Sequence, residues 1–480
     1  MKTPNLATAI IGRLGCDPGR RLLFVAGPDG QAGHWLSRGQ LLDAAAAWHQ
    51  HFTACGLTPG ARVALCPPRD LQLPALHLGA LWAGLSVVPL NPSLSKTETA
   101  SVLEAARPAL IIGPEDRASA PPRSLLPSPP RSGDGNQEAL VIFTSGTTGK
   151  PKGVPHSHAA LVWNLETLAR LWRLDAHDRL LHMLPAHHFH GLVLALYGAL
   201  MAGAEIVMLP SFTANTALAA ITTHRISVVM GVPTMYRRML ETADSQHDIG
   251  GLRLALCGSA PLSPALWQAF KDRFGIGLVE RYGLTETGII TSNPPDHPRP
   301  GSVGRPLSGA TIAIRNDNDY CLPTAGQATA RGEICIAAPS VTRRYDGDPE
   351  ATAAAIHHGY FHSGDLGSFD EDGYLKVDGR IKELIIVGGS NVIPGEVERV
   401  LQTAGGTEEL VVAGQADPDL GEIVVAYVVA AKDSDPQDVE AGLRAAAEDG
   451  LAAYKRPRRY TFVHAIARNA MGKVDRTRLG

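Results

Sequence analysis

The 480-residue chain has little net charge, few cysteines, few aromatic residues and no long apolar run, and each shortage excludes something. A formal charge of −3 provides no broad basic field, so neither nucleic acid nor an anionic membrane surface is expected as its main partner. The six cysteines (Cys16, Cys55, Cys66, Cys257, Cys321 and Cys335) form no Cys-x-x-Cys pair and no cluster with histidines at zinc-site spacing. Buried, reduced thiols are expected instead of disulfides or zinc. The most apolar stretch, Gly191 to Met208, is interrupted by Glu205 and is shorter than the roughly 20 residues that span a bilayer. It reads as a buried helix followed by a short strand, with no stable membrane insertion. Met1-Lys2-Thr3-Pro4 lacks the charged-then-apolar pattern of a signal peptide, which leads to the expectation of a cytoplasmic protein. Aromatic residues make up 5%, and no repeat of 20–50 residues is visible.

What is present is ordinary globular material, 44% hydrophobic and 19% charged. At roughly 100–200 residues per domain the length accommodates two to four folding units. Through the first two thirds, short apolar strands alternate with helical blocks. Helices are expected at 40–55, 71–84 and 97–106, and strands at 62–66, 86–90, 110–112, 140–143, 204–209, 228–231 and 253–256. That alternation is the signature of βαβ units in mostly parallel sheets. A Pro/Ser/Gly-rich stretch, 119–137, reads as a surface loop. After about Pro306 the texture changes to short strands (311–315, 332–337, 374–377) joined by polar turns, as in an antiparallel β subdomain. A last unit follows Arg380, with helices at 395–403 and 437–448 and strands at 410–414 and 423–429. The expected class is therefore α/β: a large N-terminal domain of stacked α/β sheets (1–380, with a β subdomain from about 307) and a small α+β C-terminal domain (381–480).

One loop stands out chemically. Thr144-Ser145-Gly146-Thr147-Thr148-Gly149-Lys150-Pro151-Lys152-Gly153 follows the apolar strand Leu140–Phe143. It combines hydroxyls, glycines and lysines, the groups that cradle an oligophosphate. It is not a Walker A loop, because Gly-x-x-Gly-Lys-Pro lacks that spacing and Pro151 stands where a hydroxyl should open the helix.

This loop opens a series of motifs that resembles, over nearly the whole chain, the adenylate-forming superfamily of acyl- and aryl-CoA synthetases, peptide-synthetase adenylation domains and firefly-type luciferases. In order they are Leu184-Pro185-Ala186-His187-His188-Phe189-His190-Gly191, Gly258-Ser259-Ala260-Pro261, Tyr282-Gly283-Leu284-Thr285-Glu286-Thr287, Gly359-Tyr360-Phe361-His362-Ser363-Gly364-Asp365, Gly379-Arg380-Ile381-Lys382-Glu383 and Asn469-Ala470-Met471-Gly472-Lys473. The resemblance implies ATP, CoA and a small carboxylic acid as partners, with Mg²⁺ as cofactor. Lys473 then matches the lysine that bridges carboxylate and α-phosphate, Glu286 the Mg²⁺-associated carboxylate and Thr285 an α-phosphate contact. The loop from Thr144 to Lys150 matches the phosphate cradle. Gly258, Ser259, Ala260 and Tyr282 match the border of the adenine, and Asp365 with Arg380 the ribose contacts. His188 matches a gate between acyl pocket and thiol tunnel, a packing histidine being the alternative. Lys382 matches the hinge about which the C-terminal domain turns between half-reactions, withdrawing Lys473 and presenting Gly388-Gly389. The chain departs from the common pattern at Ala467 and at His362-Ser363, without losing a charged catalytic group. Ser390 and Ile393 depart from it likewise.

The acid is less determined. His190, Arg281 and the string Gly231-Val232-Pro233-Thr234-Met235-Tyr236 resemble the malonyl-CoA synthetase branch. On that reading Arg281, assisted by His190, holds the second carboxylate of malonate or methylmalonate. Alternatively Arg281 forms a salt bridge with Glu280 or another acid. A medium-chain or aryl acid is the competing substrate class, and an adenylation domain feeding a carrier protein is a further one. Ala186 to Leu194 lacks the Asp that would bind an amino acid's ammonium group. The basic turn Lys455-Arg456-Pro457-Arg458 meets either the CoA 3′-phosphate or solvent.

Overall fold

The computed structural model describes residues 5–25, 33–116, 135–145, 151–244, 247, 249–316, 319–324, 326–432, 434–468, 474 and 476–479. Most of the Pro-rich stretch, the loop tip Gly146–Lys150 and the string Asn469–Lys473 lie outside the described residues, as do the side chains of Ser145 and Thr477. The chain divides into two compact units, Met1–Thr311 with Ile336–Phe361, and Ile312–Cys335 with His362–Gly480. Arg380 thus lies inside the second unit, which takes in the strands around Thr311–Cys335 as well as the C-terminal residues.

The first unit holds two sheets, and the expected alternation is the reason. Its strands are β1 (Arg21–Val25), β2 (His34–Ser37), β3 (Arg62–Leu65), β4 (Ser86–Pro89), β5 (Leu110–Ile112), β6 (Glu138–Ser145), β7 (Pro151–Ser157), β8 (Arg179–His182), β9 (Glu205–Met208), β10 (Val228–Gly231), β11 (Leu254–Cys257), β12 (Leu278–Leu284), β13 (Gly288–Ser292) and β14 (Arg305–Pro306). The larger sheet runs β14-β13-β12-β11-β10-β8-β9-β1-β2 and the smaller β5-β3-β4-β6-β7. From β12 to β1 the larger sheet is parallel. Helices cover both faces of its central strands, so β9, β10 and β11 are buried at every residue. Alternate residues then serve separate cores: Leu180, Ile206, Val228 and Leu254 join one, Leu181, Val207, Val229 and Ala255 the other. The helix Arg38–Ala54 starts in a capping box between Ser37 and Gln40, and Lys96–Ala106 in one between Ser95 and Glu98. Each such cap contributes about 1 kcal/mol. Gly191 to Met208 is a buried helical stretch, wound as a π-helix over His190–Tyr197, and then β9.

In the second unit, strands Ile385–Val387, Ser390–Val392, Thr407–Asp417, Gly421–Ala430 and Arg459–Phe462 form a mixed sheet. Helices Pro394–Leu401 and Pro436–Gly450 bury Val397, Leu401 and Leu443 against its Val412, Val424 and Val428. The same unit pairs Asp365 with Arg380 across a hairpin of strands Tyr360–Phe369 and Leu375–Arg380. The chain is therefore a mixed α/β protein with a large N-terminal and a small C-terminal part.

The cysteines need correction. All six are free, but Cys16, Cys55 and Cys321 are exposed and only Cys257 and Cys335 are fully buried. The first two cap the C-terminal ends of helices and the third ends a short strand, so none reaches a core. Folding also gives Cys335 a histidine neighbour that sequence spacing conceals: its Sγ lies 3.5 Å from His362 Nδ1, which is 2.9 Å from Glu333. Hydrogen bonds among these groups, with Tyr320 on the other ring nitrogen, account for the cluster without a metal.

Candidate active site

Parallel α/β sheets place their crevices at the carboxyl ends of the strands. The chemistry-bearing strings of the first unit follow that rule. Pro185–Gly191 follows β8, Val232–Tyr236 follows β10 and Gly258–Ala260 follows β11, while Arg281 to Glu286 occupies the end of β12 and the turn beyond it. β6 and β7 form an antiparallel hairpin, so Pro151 opens a strand where a Walker A loop would open a helix. Thr144 is described, its Oγ1 3.4 Å from the Lys152 carbonyl; Ser145 is described only in its backbone, and Gly146, Thr147, Thr148, Gly149, Lys150 and the C-terminal Lys473 lie outside the described residues.

The turn carrying Thr285 and Glu286 is held tightly. Thr287 Oγ1 accepts from the Leu284 amide at 3.0 Å and donates to the Gly288 carbonyl at 2.8 Å. Gly288 has φ +63, and a Cβ there would meet Asn164 Oδ1 at 2.9 Å, so glycine is required at this position. Buried Asn164 ties down the start of β13 through both the amide and the carbonyl of Ile289. His156 lies beneath Thr285, hydrogen-bonded to its backbone, and burial pushes its imidazole down to about 4. On the other side Tyr345 donates its hydroxyl to Glu286 Oε1 at 2.9 Å. Asn164, His156 and Tyr345 had no motif to flag them: each reaches the turn from a distant segment.

Arg281 sits deeper, 5% exposed, with its guanidinium against the Gly258 backbone. A Cβ on Gly258 would lie 2.7 Å from Arg281 Cζ, so the small residue makes room for the cation. The salt bridge with Glu280 does not form: among the described residues Arg281 Nε and Nη2 have no hydrogen-bond partner, and neither does Glu280 Oε1. Consecutive residues of a strand point to opposite faces, which separates the two charges. Burial pushes the Arg281 guanidinium down to about 10, leaving it cationic at neutral pH. The same cause lifts the Glu280 carboxyl to about 8, so it is largely neutral there.

His190 is buried beside Arg281. Its Nδ1 is 3.3 Å from Ser259 Oγ, and its Nε2 has no partner. Burial, followed by repulsion from Arg281, holds its pKa well below the usual imidazole value. His190 therefore offers a hydrogen bond and no charge. Ser259 adopts φ +70, an uncommon conformation for a residue with a side chain and one often kept at functional positions. His188 is half-buried with its ring 4.2 Å from that of His187. Tyr282 and Ala260 are described at the same strand ends, half-buried and exposed respectively.

In the second unit, Asp365 is 4% exposed and accepts from Arg380 Nε at 2.9 Å. Lys382 lies exposed in a 3₁₀ turn, Ile381–Glu383. In the basic turn, Lys455 is ion-paired with Glu396 at 2.6 Å, and Arg456 donates to the Leu451 and Glu448 carbonyls. Those two side chains are committed to the fold of their own unit.

Comparison with known proteins identifies the family. The family model described as AMP-binding enzyme matches residues 16–346, and that described as AMP-binding enzyme C-terminal domain matches 396–473. A sulfoacetate–CoA ligase of Cupriavidus necator is 34% identical, covering 95% of this chain and 94% of its own. A malonate–CoA ligase of Arabidopsis thaliana is 32% identical over 89% of this chain and 79% of its own. Relatives named for long-chain fatty acids and for indoleacetate match at comparable identity. Among solved structures, ATP-bound MatB from Rhodopseudomonas palustris superposes with a TM-score of 0.88 at 31% identity, covering 98% of each chain. The chain belongs to the adenylate-forming AMP-binding enzyme family, as an AMP-forming acid–thiol ligase of the acyl-CoA synthetase type.

Proposed function

We propose that this ligase activates a short acid bearing a second anionic group, with malonate or methylmalonate as the working substrates, and passes the acyl group from its adenylate to CoA. One observation carries the reading: a buried cation with two donors unpartnered among the described residues, next to an imidazole whose Nε2 is unpartnered as well. Leaving such donors unsatisfied costs about 1–3 kcal/mol each, more for charged groups. A distal carboxylate on the substrate satisfies both Arg281 and His190, and a simple fatty acid satisfies neither.

The chemistry divides among the remaining residues. The substrate carboxylate attacks the α-phosphate and pyrophosphate leaves, so two anions must be brought together. Lys473 would bridge them, with Thr144–Lys150 and Thr285 donating to the phosphates. Glu286 suits Mg²⁺, being a carboxylate with one oxygen anchored and the other without a hydrogen-bond partner among the described residues. When bound, Mg²⁺ neutralises phosphate charge. Gly258, Ser259, Ala260 and Tyr282 would border adenine, and Asp365 with Arg380 would hold the ribose. His188 would guard the path to the thiol, and Lys382 would be the pivot for a C-terminal domain beginning near residue 381. The second reading is a medium-chain or aryl acid.

The test is pyrophosphate release with ATP, Mg²⁺ and CoA across malonate, methylmalonate, oxalate, butyrate, octanoate and benzoate. A diacid should be preferred over butyrate by up to roughly 10⁴–10⁵-fold, the scale on which unpaired buried polar groups reject a substrate. Preference for octanoate or benzoate would remove the diacid reading and leave the ligase chemistry intact.

A further inference from the structure

The segment Thr342–Asp348 belongs to none of the strings that identify the family site, yet it is fastened to two of them. Thr342 donates its amide to the Glu286 carbonyl at 2.7 Å and its hydroxyl to the Pro155 carbonyl at 2.8 Å. Asp346 donates its amide to the Gly153 carbonyl at 2.8 Å. Its carboxylate receives Arg62 Nη2 at 2.9 Å, and Arg62 Nε reaches Glu138 at 2.8 Å. Tyr345 lies between these anchors, its own amide donating to Thr352 Oγ1 at 2.9 Å. With its backbone so held, its hydroxyl is delivered to Glu286 Oε1 at 2.9 Å. Lys152, from the same string as Gly153, sits over the face of that ring, with Nζ 5.3 Å from the centroid. A cation on a phenol's face stabilises the ring and makes its hydroxyl a stronger donor.

We propose that Tyr345 is a positioning residue for the divalent cation and the nucleotide phosphates. Its hydroxyl fixes the rotation of the Glu286 carboxylate, keeping one oxygen occupied and committing the other to the cation. The proposal rests on the reading of Glu286 as the cation's carboxylate. A phenol donating to a carboxylate is a charge-assisted bond that holds its acceptor in a single orientation. Partners that orient a metal-binding carboxylate in this way typically change metal affinity by roughly 10–100-fold when removed. The Lys152 contact ties that orientation to the phosphate loop, so the two phosphate-handling motifs are connected through one aromatic ring.

Tyr345→Phe tests this, because it removes the hydroxyl and keeps the ring, its packing and the Lys152 contact. Mn²⁺ affinity in the presence of ATP, read by the electron paramagnetic resonance of free Mn²⁺ in the full-length protein, should weaken roughly tenfold. ATP affinity in excess chelator, read with a fluorescent ATP analogue, should move by less than about twofold on the same argument. The Mg²⁺ midpoint for pyrophosphate release should rise with the Mn²⁺ constant. Glu286→Gln separates the two layers of the argument. If Glu286→Gln keeps parental Mn²⁺ affinity, the assignment of Glu286 fails, whatever Tyr345 does. If Glu286→Gln loses Mn²⁺ and Tyr345→Phe does not, the proposal for Tyr345 is overturned. A loss of metal-free ATP affinity equal to the Mn²⁺ loss would likewise overturn it, since it would show a general structural defect.

Discussion

Arg62 and Arg281 lie in the same compact unit, both shielded from solvent, and they are treated in opposite ways. Arg62 is enclosed by carboxylates, Glu138 on one side and Asp346 on the other, and these partners hold its guanidinium above its ordinary pKa. Arg281 has no carboxylate partner among the described residues, and burial pushes it down to about 10. Arg69 shows a third solution, with its donors taken by the carbonyls of Leu209, Leu184 and His182. A cation that serves the fold is paired by the fold. One that is desolvated and left with idle donors lowers stability, and under the proposed function the missing partner is the substrate's second anionic group.

The largest expected effect breaks that contrast directly. Arg281→Met should lower kcat/KM for malonate by roughly 10²–10³-fold, the cost of removing one partner of a desolvated charge pair, with far less effect on butyrate. The same variant should be more stable than the parent by about 1–4 kcal/mol in urea denaturation, because an unpaired buried cation is exchanged for an apolar side chain of similar length. A variant that loses both acids equally, or unfolds more readily, would show Arg281 to be structural. Arg62→Ala should do the reverse, destabilising by roughly 3 kcal/mol through the carboxylates it strands. Urea midpoints compare the two arginines on one scale, and a destabilisation of Arg62→Ala no larger than that of Arg281→Met would dissolve the distinction.

The last test concerns Glu280, on the face of β12 opposite Arg281. Its folded value of about 8 lies above the ordinary 4.5, so the folded protein holds the proton longer than the unfolded chain does. Stability from the neutral carboxyl is therefore complete below the unfolded value and is lost as pH rises through the folded one. Glu280→Gln is neutral at every pH. It should match the parent in thermal melting at about pH 5 and exceed it increasingly towards pH 9, in line with that linkage. Equal melting curves across that range would mean that Glu280 finds a partner when ionised.

Much of this was legible in the chain. The alternation of short apolar strands with capped helices produced both sheets of the first unit, because a parallel strand covered on two faces needs a run such as Val228–Gly231. The departure of Thr144–Gly153 from Walker A spacing was legible too, and Pro151 opens β7 instead of a helix. Other features were hidden for definite reasons. Glu280 and Arg281 look like an ion pair in a string of letters, but the pleat of β12 turns them apart. His190 stands in the string as a helper to Arg281, and only its burial shows that it brings no charge. Tyr345 carries no motif, since its meaning lies entirely in the acceptor it reaches.

The sequence by itself determined the class of chemistry and the α/β architecture. Both are written in local strings and periodicities, which act over a few residues and do not depend on how the chain closes. Tertiary structure alone decided which charges stay unpaired, which carboxylate is neutral and which phenol holds Glu286. Those outcomes depend on burial and on contacts such as Arg62 with Asp346, separated by 284 positions, so they exist only once distant segments have packed.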